Sequence, residues 1–160
     1  MLRIATTLDA RLIAKLHVKS WHETYTRIIN QTILDSLSVD EKEQLWKIIL
    51  DDPNQLILVY EKDNEIIGFA DFYMKPNCQN GELKAIYILK AYQGKGVGQL
   101  FIQQGFKYLK QKGYQSITLE VLNKNLSRFF YEKLGAKCIG EVSAEDMGEG
   151  LKDLIYEWKI

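Results

Sequence analysis

The residues whose types and spacing point most directly to chemistry are 93–98, which read QGKGVG. They follow an apolar run, residues 85–89, and precede an amphipathic segment, residues 97–112, so the pattern predicts a strand, a glycine turn and a helix. The free N–H groups and the positive dipole end at a helix start attract phosphate. Glycines let the backbone approach a diphosphate without a Cβ in the way. The turn therefore predicts a site for a ligand that carries phosphate.

The spacing of the glycines argues against the common nucleotide-binding loops. A Walker loop requires G-x-x-x-x-G-K-[ST], and Lys95 is not followed by Ser or Thr. A dinucleotide turn requires G-x-G-x-x-G, and the third glycine position is Gln99 or Phe101 here. Glu120 lies about where a ribose-binding acid would follow, which we attribute to coincidence because the glycine spacing is wrong. A nucleotide-binding protein is thus a disfavoured alternative.

The pattern that fits the turn is Q/R-x-x-G-x-G/A, with Gln93 first, Gly96 fourth and Gly98 sixth. This turn resembles the acetyl-CoA pyrophosphate loop of the GCN5-related N-acetyltransferase family. A second segment, residues 125–135 (NLSRFFYEKLG), is similar to the family's N-x-[SA]-R-x-F-Y-x-x-x-G helix, which flanks the pantetheine arm. Many members have one more residue between the Asn and the Tyr. The order and spacing of the two motifs, with the coarse order of elements, extend the resemblance over nearly the whole chain.

The elements that must position these motifs form an α/β pattern. Alternating and apolar runs predict strands at residues 2–5, 56–60, 65–74, 82–89, 117–121, 137–142 and 154–158. Asp9, Ser38, Val97 and Asn125 mark predicted helix starts. Their predicted inward-facing side chains include Leu12, Leu45, Ile48 and Leu100. The resemblance implies a mixed sheet of about seven strands with helices on both faces, splayed open after residues 82–89 to admit acetyl-CoA.

The resemblance also implies how the cofactor is held. The pyrophosphate is expected to bind backbone N–H groups of the glycine turn, and the pantetheine arm is expected to pair with the central strand. Asn125 is expected to bind the cofactor, to cap its own helix, or both. The implied cofactor-binding residues are Ile86, Ile88, Gln93, Gly94, Lys95, Gly96, Val97, Gly98 and Asn125.

Acetyl transfer to an amine needs a neutral amine, a polarised thioester carbonyl and a stabilised thiolate. By resemblance, Tyr131 is the general acid near the sulfur, and the alternative is that it is one more aromatic residue beside Phe130. Glu82 begins the central strand, where the family often places a carboxylate that accepts the amine proton directly or through water. A solvated strand-end glutamate fits that position as well. Asp71, His22 and Glu23 are further candidates for the base.

The acceptor site is expected at residues 21–25 (WHETY), which resemble the W-x-x-x-Y segment of one branch of the family. Trp21 and Tyr25 are expected to line the pocket, with Glu23 favouring a cationic amine, and core packing is the alternative for the aromatics. The branch often continues with Gly-Ile/Leu-Pro, whereas residues 28–30 read IIN here. The acceptor therefore cannot be carried over from the resemblance.

Length and composition limit the class of protein. The 160 residues predict a single domain, residues 1–160, of ordinary globular composition. Lys+Arg and Asp+Glu both number 21, which gives no reason to expect nucleic acid. Two isolated cysteines, and no signal peptide or membrane-spanning run, predict a cytoplasmic protein with free thiols. Neither histidine belongs to a ligand cluster, so no metal is expected.

Two functions of different classes follow. The first is an acetyl-CoA-dependent N-acetyltransferase that moves the acetyl group directly to a primary amine of a small molecule or protein. The second is a non-catalytic acyl-CoA-binding regulatory domain. Dimers are common in the family, so a homodimer is an open alternative to a monomer.

Overall fold

The computed structural model describes residues 1–160 and contains one seven-stranded sheet in the order β1-β2-β3-β4-β5-β7-β6. The strands are β1 (Leu2–Ile4), β2 (Gln55–Lys62), β3 (Glu65–Tyr73), β4 (Asn80–Ile88), β5 (Ser116–Leu122), β6 (Lys137–Ser143) and β7 (Lys152–Lys159). The helices are α1 (Ala10–Tyr25), α2 (Gln31–Asp35), α3 (Val39–Asp51), α4 (Val97–Gln111) and α5 (Ser127–Lys133). This arrangement confirms the predicted mixed sheet with flanking helices.

The sheet opens between its two parallel strands. β4 and β5 pair only from Asn80 with Ser116 to Leu83 with Leu119, and every other neighbouring pair is antiparallel. The register between β3 and β4 shifts beside Asp71, which leaves Lys84 as an extra residue in β4. Such a bulge bends the strand that carries it. The predicted splay is therefore present, and it begins within β4 after Leu83 instead of at the strand's end.

The two faces of the sheet carry separate cores. On one face, α1 and α3 pack against the sheet through a cluster that includes Ile13, Trp46 and Phe69. On the other face, the cluster that includes Phe101 and Tyr131 packs α4 and α5 against the sheet. Successive side chains of a strand point to opposite faces. The free end of β4 consequently supplies side chains to both cores.

A third apolar cluster bridges the open end of the sheet. It joins Tyr25 and Ile29, at the end of α1, to Leu122 at the end of β5 and Leu151 before β7. The backbone N–H of Asn30 also donates to the carbonyl of Met147 (2.7 Å). The segment between α1 and α2 is thus fixed to the loop between β6 and β7.

Several details of the helices differ from the sequence predictions. Asp9 precedes α1 without capping it, because its carboxylate accepts from the Thr6 N–H and from Arg3 (both 2.8 Å). Ser38 does cap α3, accepting from the Glu41 N–H (3.2 Å). Four residues that were predicted to face inward have exposed side chains: Leu12, Leu45, Ile48 and Leu100. In α3 the buried side chain is that of Trp46. Periodicity gives the width of an apolar stripe, whereas the neighbouring elements decide which part of it is covered.

None of the helices combines the length and the apolar composition that crossing a bilayer requires.

Candidate active site

A cavity of about 530 Å³ lies where β4 and β5 separate. Its walls are the unpaired part of β4, residues 119–121 of β5, the glycine turn, the end of α1 and one side of α5. Nine of the predicted site residues line it: Tyr25, Ile86, Ile88, Gln93, Gly94, Gly96, Gly98, Asn125 and Tyr131. Five do not: Trp21, Glu23, Glu82, Lys95 and Val97.

The glycine turn is shaped to present backbone N–H groups. Gly94 and Gly96 have φ of 72° and 86°, a conformation that glycine adopts without strain. The side-chain amide of Gln93 donates to the Ile88 carbonyl (2.9 Å), which fastens the turn to the end of β4. No side chain caps α4, and its first internal bond runs from the Leu100 N–H to the Gly96 carbonyl. The first amides of α4 are therefore available to a diphosphate.

Gly98 is needed for close packing at the same turn. A Cβ at this position would lie 3.0 Å from the Phe130 ring and 3.4 Å from the Ile88 side chain.

Lys95 and Val97, which were also predicted to bind the cofactor, point away from the cavity or into the core. Lys95 places its Nζ 5.5 Å from the ring centroid of Tyr92, and Val97 is buried in the core. Neither side chain lines the cavity.

The second motif forms α5 and the cavity wall opposite β4. The side-chain oxygen Oδ1 of Asn125 accepts from the Ser127 N–H (2.9 Å), so Asn125 holds the start of α5 while also lining the cavity. Tyr131 is 7% exposed, and its ring meets those of Phe130 and Trp158 edge-on. Burial raises the pKa of Tyr131. Its hydroxyl therefore keeps its proton near neutral pH and can donate it.

On the side of α1, the cavity ends at a pair of phenols. The hydroxyls of Tyr25 and Tyr87 lie 3.1 Å apart, and both residues line the cavity. Tyr87 stacks on His17 with ring centroids 5.7 Å apart, and Trp21 packs edge-on against Tyr25 at 4.8 Å. Burial raises the pKa of both phenols. The sequence analysis did not identify Tyr87 as a site residue, because an aromatic residue in a central strand is usually interpreted as part of the hydrophobic core.

The carboxylates at the opening are arranged differently from the prediction. Glu82 lies opposite Thr118, where β4 and β5 are still paired, and its carboxylate is 3.6 Å from the Lys84 ammonium. Glu120 lies one residue past Leu119, the last residue of β5 that pairs with β4, and lines the cavity. The geometry thus favours Glu120 over Glu82 as the carboxylate that an acceptor amine meets. The strand alternation around Glu120 was visible in the sequence, but the opening beside it was not.

The other candidate bases lie outside the cavity. Asp71 is 4% exposed, its Oδ1 has no hydrogen-bond partner, and burial raises the pKa of its carboxyl to about 7. Glu23 accepts from the Lys90 N–H (2.8 Å), which ties the end of α1 to the segment before the glycine turn. His22 is exposed near the end of α1 and does not line the cavity.

The other histidine, His17, packs in the hydrophobic core. His17 Nδ1 accepts from the Trp46 indole N–H (3.0 Å), and burial lowers the pKa of His17 to about 4. The chain contains no group of three or more His, Cys, Asp or Glu side chains placed to hold a metal ion.

The cavity connects the two faces of the sheet. Ile86, Ile88 and Tyr131 belong to the α4/α5 side, whereas Tyr25 and Tyr87 belong to the α1 side. A thioester held beside the glycine turn and α5 can therefore meet a nucleophile that arrives from the α1 side. Such a passage through a splayed sheet suits the transfer of a group between two substrates bound at the same time.

Comparison with known proteins identifies the class of enzyme. The model of the acetyltransferase (GNAT) family matches residues 16–136, which include both sequence motifs. The chain belongs to this family, and it is an N-acetyltransferase by class. An uncharacterized N-acetyltransferase of Bacillus subtilis, YuaI, is 32% identical over 159 residues, covering 98% of this chain and 91% of that protein.

Two further relatives differ in how much they share. The [ribosomal protein bS18]-alanine N-acetyltransferase of Haemophilus influenzae is 42% identical over 74 residues, which cover 46% of this chain and 49% of that protein. The crystal structure of the PaiA N-acetyltransferase from Thermoplasma acidophilum, in complex with coenzyme A, superposes with a TM-score of 0.82. It shares 23% sequence identity and covers 100% of this chain and 98% of that chain, so this likeness concerns the fold.

Proposed function

We propose that this protein transfers the acetyl group of acetyl-CoA directly to a primary amine while both substrates are bound. The observation that carries the proposal is the single cavity that joins the glycine turn and Tyr131, on the α4/α5 side, to Tyr25 and Tyr87 on the α1 side. A non-catalytic acyl-CoA-binding domain would need the first half of this cavity but not the second.

The cofactor half of the cavity fits a diphosphate followed by a narrow arm. The diphosphate would bind the free amides at the start of α4, beside Gly96 and Gly98. The arm would follow the unpaired edge of β4 at Ile86 and Ile88, whose backbone groups have no strand partner on that side. Acetyl-CoA supplies the acetyl group as a thioester, and the chain's own groups do the rest.

The chemistry divides between two side chains. Glu120 accepts a proton from the acceptor ammonium, which frees the nitrogen lone pair for attack on the thioester carbonyl carbon. The carbon–nitrogen bond forms, the carbon–sulfur bond breaks, and Tyr131 hydrogen-bonds to the departing sulfur and passes its proton to it. The tyrosine then recovers a proton from the nitrogen through solvent. The products are the amide, the free thiol and one proton, so the step balances.

The acceptor amine belongs to a small molecule or to a protein. The relative that acetylates an alanine of ribosomal protein bS18 supports a protein amino group, but the alignment covers less than half of either chain. The cavity opens onto a site that is lined by three tyrosines. Such a site is compatible with a small-molecule amine and with a protein amino group.

The first experiment measures thermal unfolding with acetyl-CoA, CoA, ATP or NADH added in turn. A ligand that binds only the folded chain at about 100 times its Kd stabilises it by about 2.7 kcal/mol. For a chain of this length, the unfolding midpoint should rise by about 5–10 °C with acetyl-CoA and CoA. A rise with ATP or NADH alone would overturn the assignment of the glycine turn.

A second experiment separates catalysis from binding. We expect Tyr131→Phe to lower kcat about 100-fold with little change in CoA affinity, because the lost hydroxyl acts on the departing sulfur. Thiol release measures the first quantity and calorimetry the second. Tyr114→Phe is the matched control, since its hydroxyl donates to the Lys75 carbonyl away from the cavity. Unchanged turnover in Tyr131→Phe would remove its role as the acid, and binding without turnover in the parent would favour the regulatory domain.

A further inference from the structure

The acceptor half of the cavity is formed mainly by phenols. The Tyr25 and Tyr87 hydroxyls lie 3.1 Å apart at its end, and Tyr131 faces the same space from α5. In this pair one hydroxyl donates to the other, and the side chains of Asn125 and Trp21 also lie within hydrogen-bonding reach of Tyr25 and Tyr87, respectively. The phenol oxygens are the hydrogen-bond acceptors that the pair presents. Tyr25 and Tyr131 are only 8% and 7% exposed. The pair is therefore a preformed group of hydrogen-bond acceptors in a mostly apolar wall.

The charges near this end are negative. Glu120 lines the cavity, and Asp153 is close enough to Tyr25 that, after burial, its charge further raises the pKa of that phenol. Of the two lysines that line the cavity, Lys84 is paired with Glu82 (3.6 Å), and Lys133 lies at the opposite end of α5 from Asn125. A carboxylate next to an amine at the phenol pair would meet Glu120 and Asp153, whereas Lys133, which has no ion-pair partner, lies at the far end of α5.

The apolar bridge across the open end of the sheet includes one of the phenols, Tyr25. Ile29 and Leu151 are 6% and 1% exposed in the apolar cluster that includes Tyr25, and the Asn30 N–H donates to the Met147 carbonyl. These contacts fix the two loops against each other across the open end of the sheet. The end of α1 that carries Tyr25 is therefore held in place against the loop between β6 and β7.

We propose that the Tyr25–Tyr87 hydroxyl pair is the subsite for the acceptor amine and selects primary amines that have no carboxylate on the adjoining carbon. The inference rests on the proposed acetyltransferase function and names its acceptor class, which comprises alkylamines and peptide N-termini. The phenol oxygens accept hydrogen bonds from the amine, and the aromatic faces attract its charge before Glu120 removes the proton. A free amino acid is rejected because its carboxylate would lose its water shell without gaining a cation.

The test of the acceptor class uses two molecules that differ only in the carboxylate. With acetyl-CoA and the full chain, we expect alaninamide to be acetylated with a kcat/KM at least 100-fold above that of alanine. Thiol release gives the rate, and mass spectrometry gives the product. Putrescine and a peptide amide with an N-terminal alanine then distinguish a small amine from a chain terminus. Equal rates with alanine and alaninamide would overturn the inference.

The test of the subsite uses Tyr87→Phe, which keeps the ring and removes one hydroxyl. We expect about a tenfold rise in KM for the best acceptor, since a hydrogen bond to a charged group is lost. The CoA dissociation constant, measured by calorimetry, should change less than twofold. Tyr25→Phe should act in the same direction, and the double variant should show less than the product of the two effects, because both hydroxyls serve one subsite.

Control measurements distinguish a failure of the proposed subsite from a failure of the proposed acetyltransferase function. Tyr114→Phe should leave every parameter unchanged, and unfolding midpoints should show that each variant is folded. An unchanged acceptor KM in folded Tyr87→Phe and Tyr25→Phe, with normal CoA binding, would overturn the subsite and leave the proposed function standing. A parent chain that binds no CoA, or releases no thiol with any of these amines, would overturn the proposed function and this inference with it.

Discussion

At the scale of single residues, strand geometry places Glu120, and not Glu82, in the wall of the cavity. Glu82 and Glu120 both lie beside the point where β4 and β5 part, but only Glu120 is beyond the last pair that joins these two strands. The family resemblance named Glu82 as a candidate base, since the family often places a carboxylate at the start of this strand. The position of the opening, which begins at a bulge in β4, changes the preferred candidate.

Replacement of the two glutamates by glutamine tests this preference. We expect Glu120→Gln to lower kcat/KM about 100-fold near neutral pH, with partial recovery at higher pH, where more of the amine is already deprotonated. Glu82→Gln is the matched control and should change kcat/KM less than about threefold. Steady-state rates across pH measure both. The opposite ranking of the two variants would return the role of base to Glu82.

At the scale of elements, the glycine turn and α5 depend on each other. Gly98 lies against Phe130 of α5, and the Gln93 side chain fastens the turn to β4. The turn therefore holds its shape through contacts with α5, which carries the second motif, and with the end of β4. A change in the turn is expected to affect the cofactor through shape as well as through charge.

Gly98→Glu tests the assignment of the turn. We expect the variant to lose CoA binding, because the side chain adds bulk against Phe130 and a negative charge where the diphosphate would bind. Calorimetry measures the affinity, and the unfolding midpoint without ligand shows whether the fold survives. Gly140→Glu is the matched control, since a Cβ there meets only Ile155, at 3.8 Å. Unchanged CoA affinity in Gly98→Glu would show that the diphosphate binds elsewhere.

At the scale of the whole molecule, two buried groups act on stability with opposite dependence on pH. The pKa of Asp71 is raised to about 7 by burial, so its stabilising neutral form in the folded state is lost as pH rises from about 4 to 7. The pKa of His17 is lowered to about 4 by burial, so the folded state loses stability as pH falls from 6.5 toward 4. Within this window the two contributions largely cancel.

The substitution Asp71→Asn should reveal the pH dependence of stability that His17 contributes. We expect the variant to match the parent near pH 4 and to be more stable by about 2–4 kcal/mol at pH 8, because the buried charge is removed. Urea unfolding at a series of pH values measures the difference between the two proteins, in which groups common to both cancel. A difference that does not grow between pH 4 and pH 7 would show that Asp71 titrates near its ordinary range.

Much of the fold was predictable from local sequence, because strands, turns and caps depend on neighbouring residues. The glycine turn, the start of α4 and the Ser38 cap all follow from patterns a few residues long. The predicted inward faces of α1 and α3 were wrong at Leu12, Leu45 and Ile48, because the part of a helix that is buried depends on which elements pack against it. The family, and with it the use of acetyl-CoA, followed from two short motifs.

The sequence by itself determined the two motifs that define the class: the glycine turn of residues 93–98 and the helix that carries Tyr131, with Asn125 just before it. The tertiary structure alone decided where β4 and β5 separate, and so brought Glu120, Tyr25 and Tyr87 to one cavity. The physical reason is distance along the chain. A turn forms from adjacent residues, whereas a cavity between strands requires contacts among segments that only folding brings together.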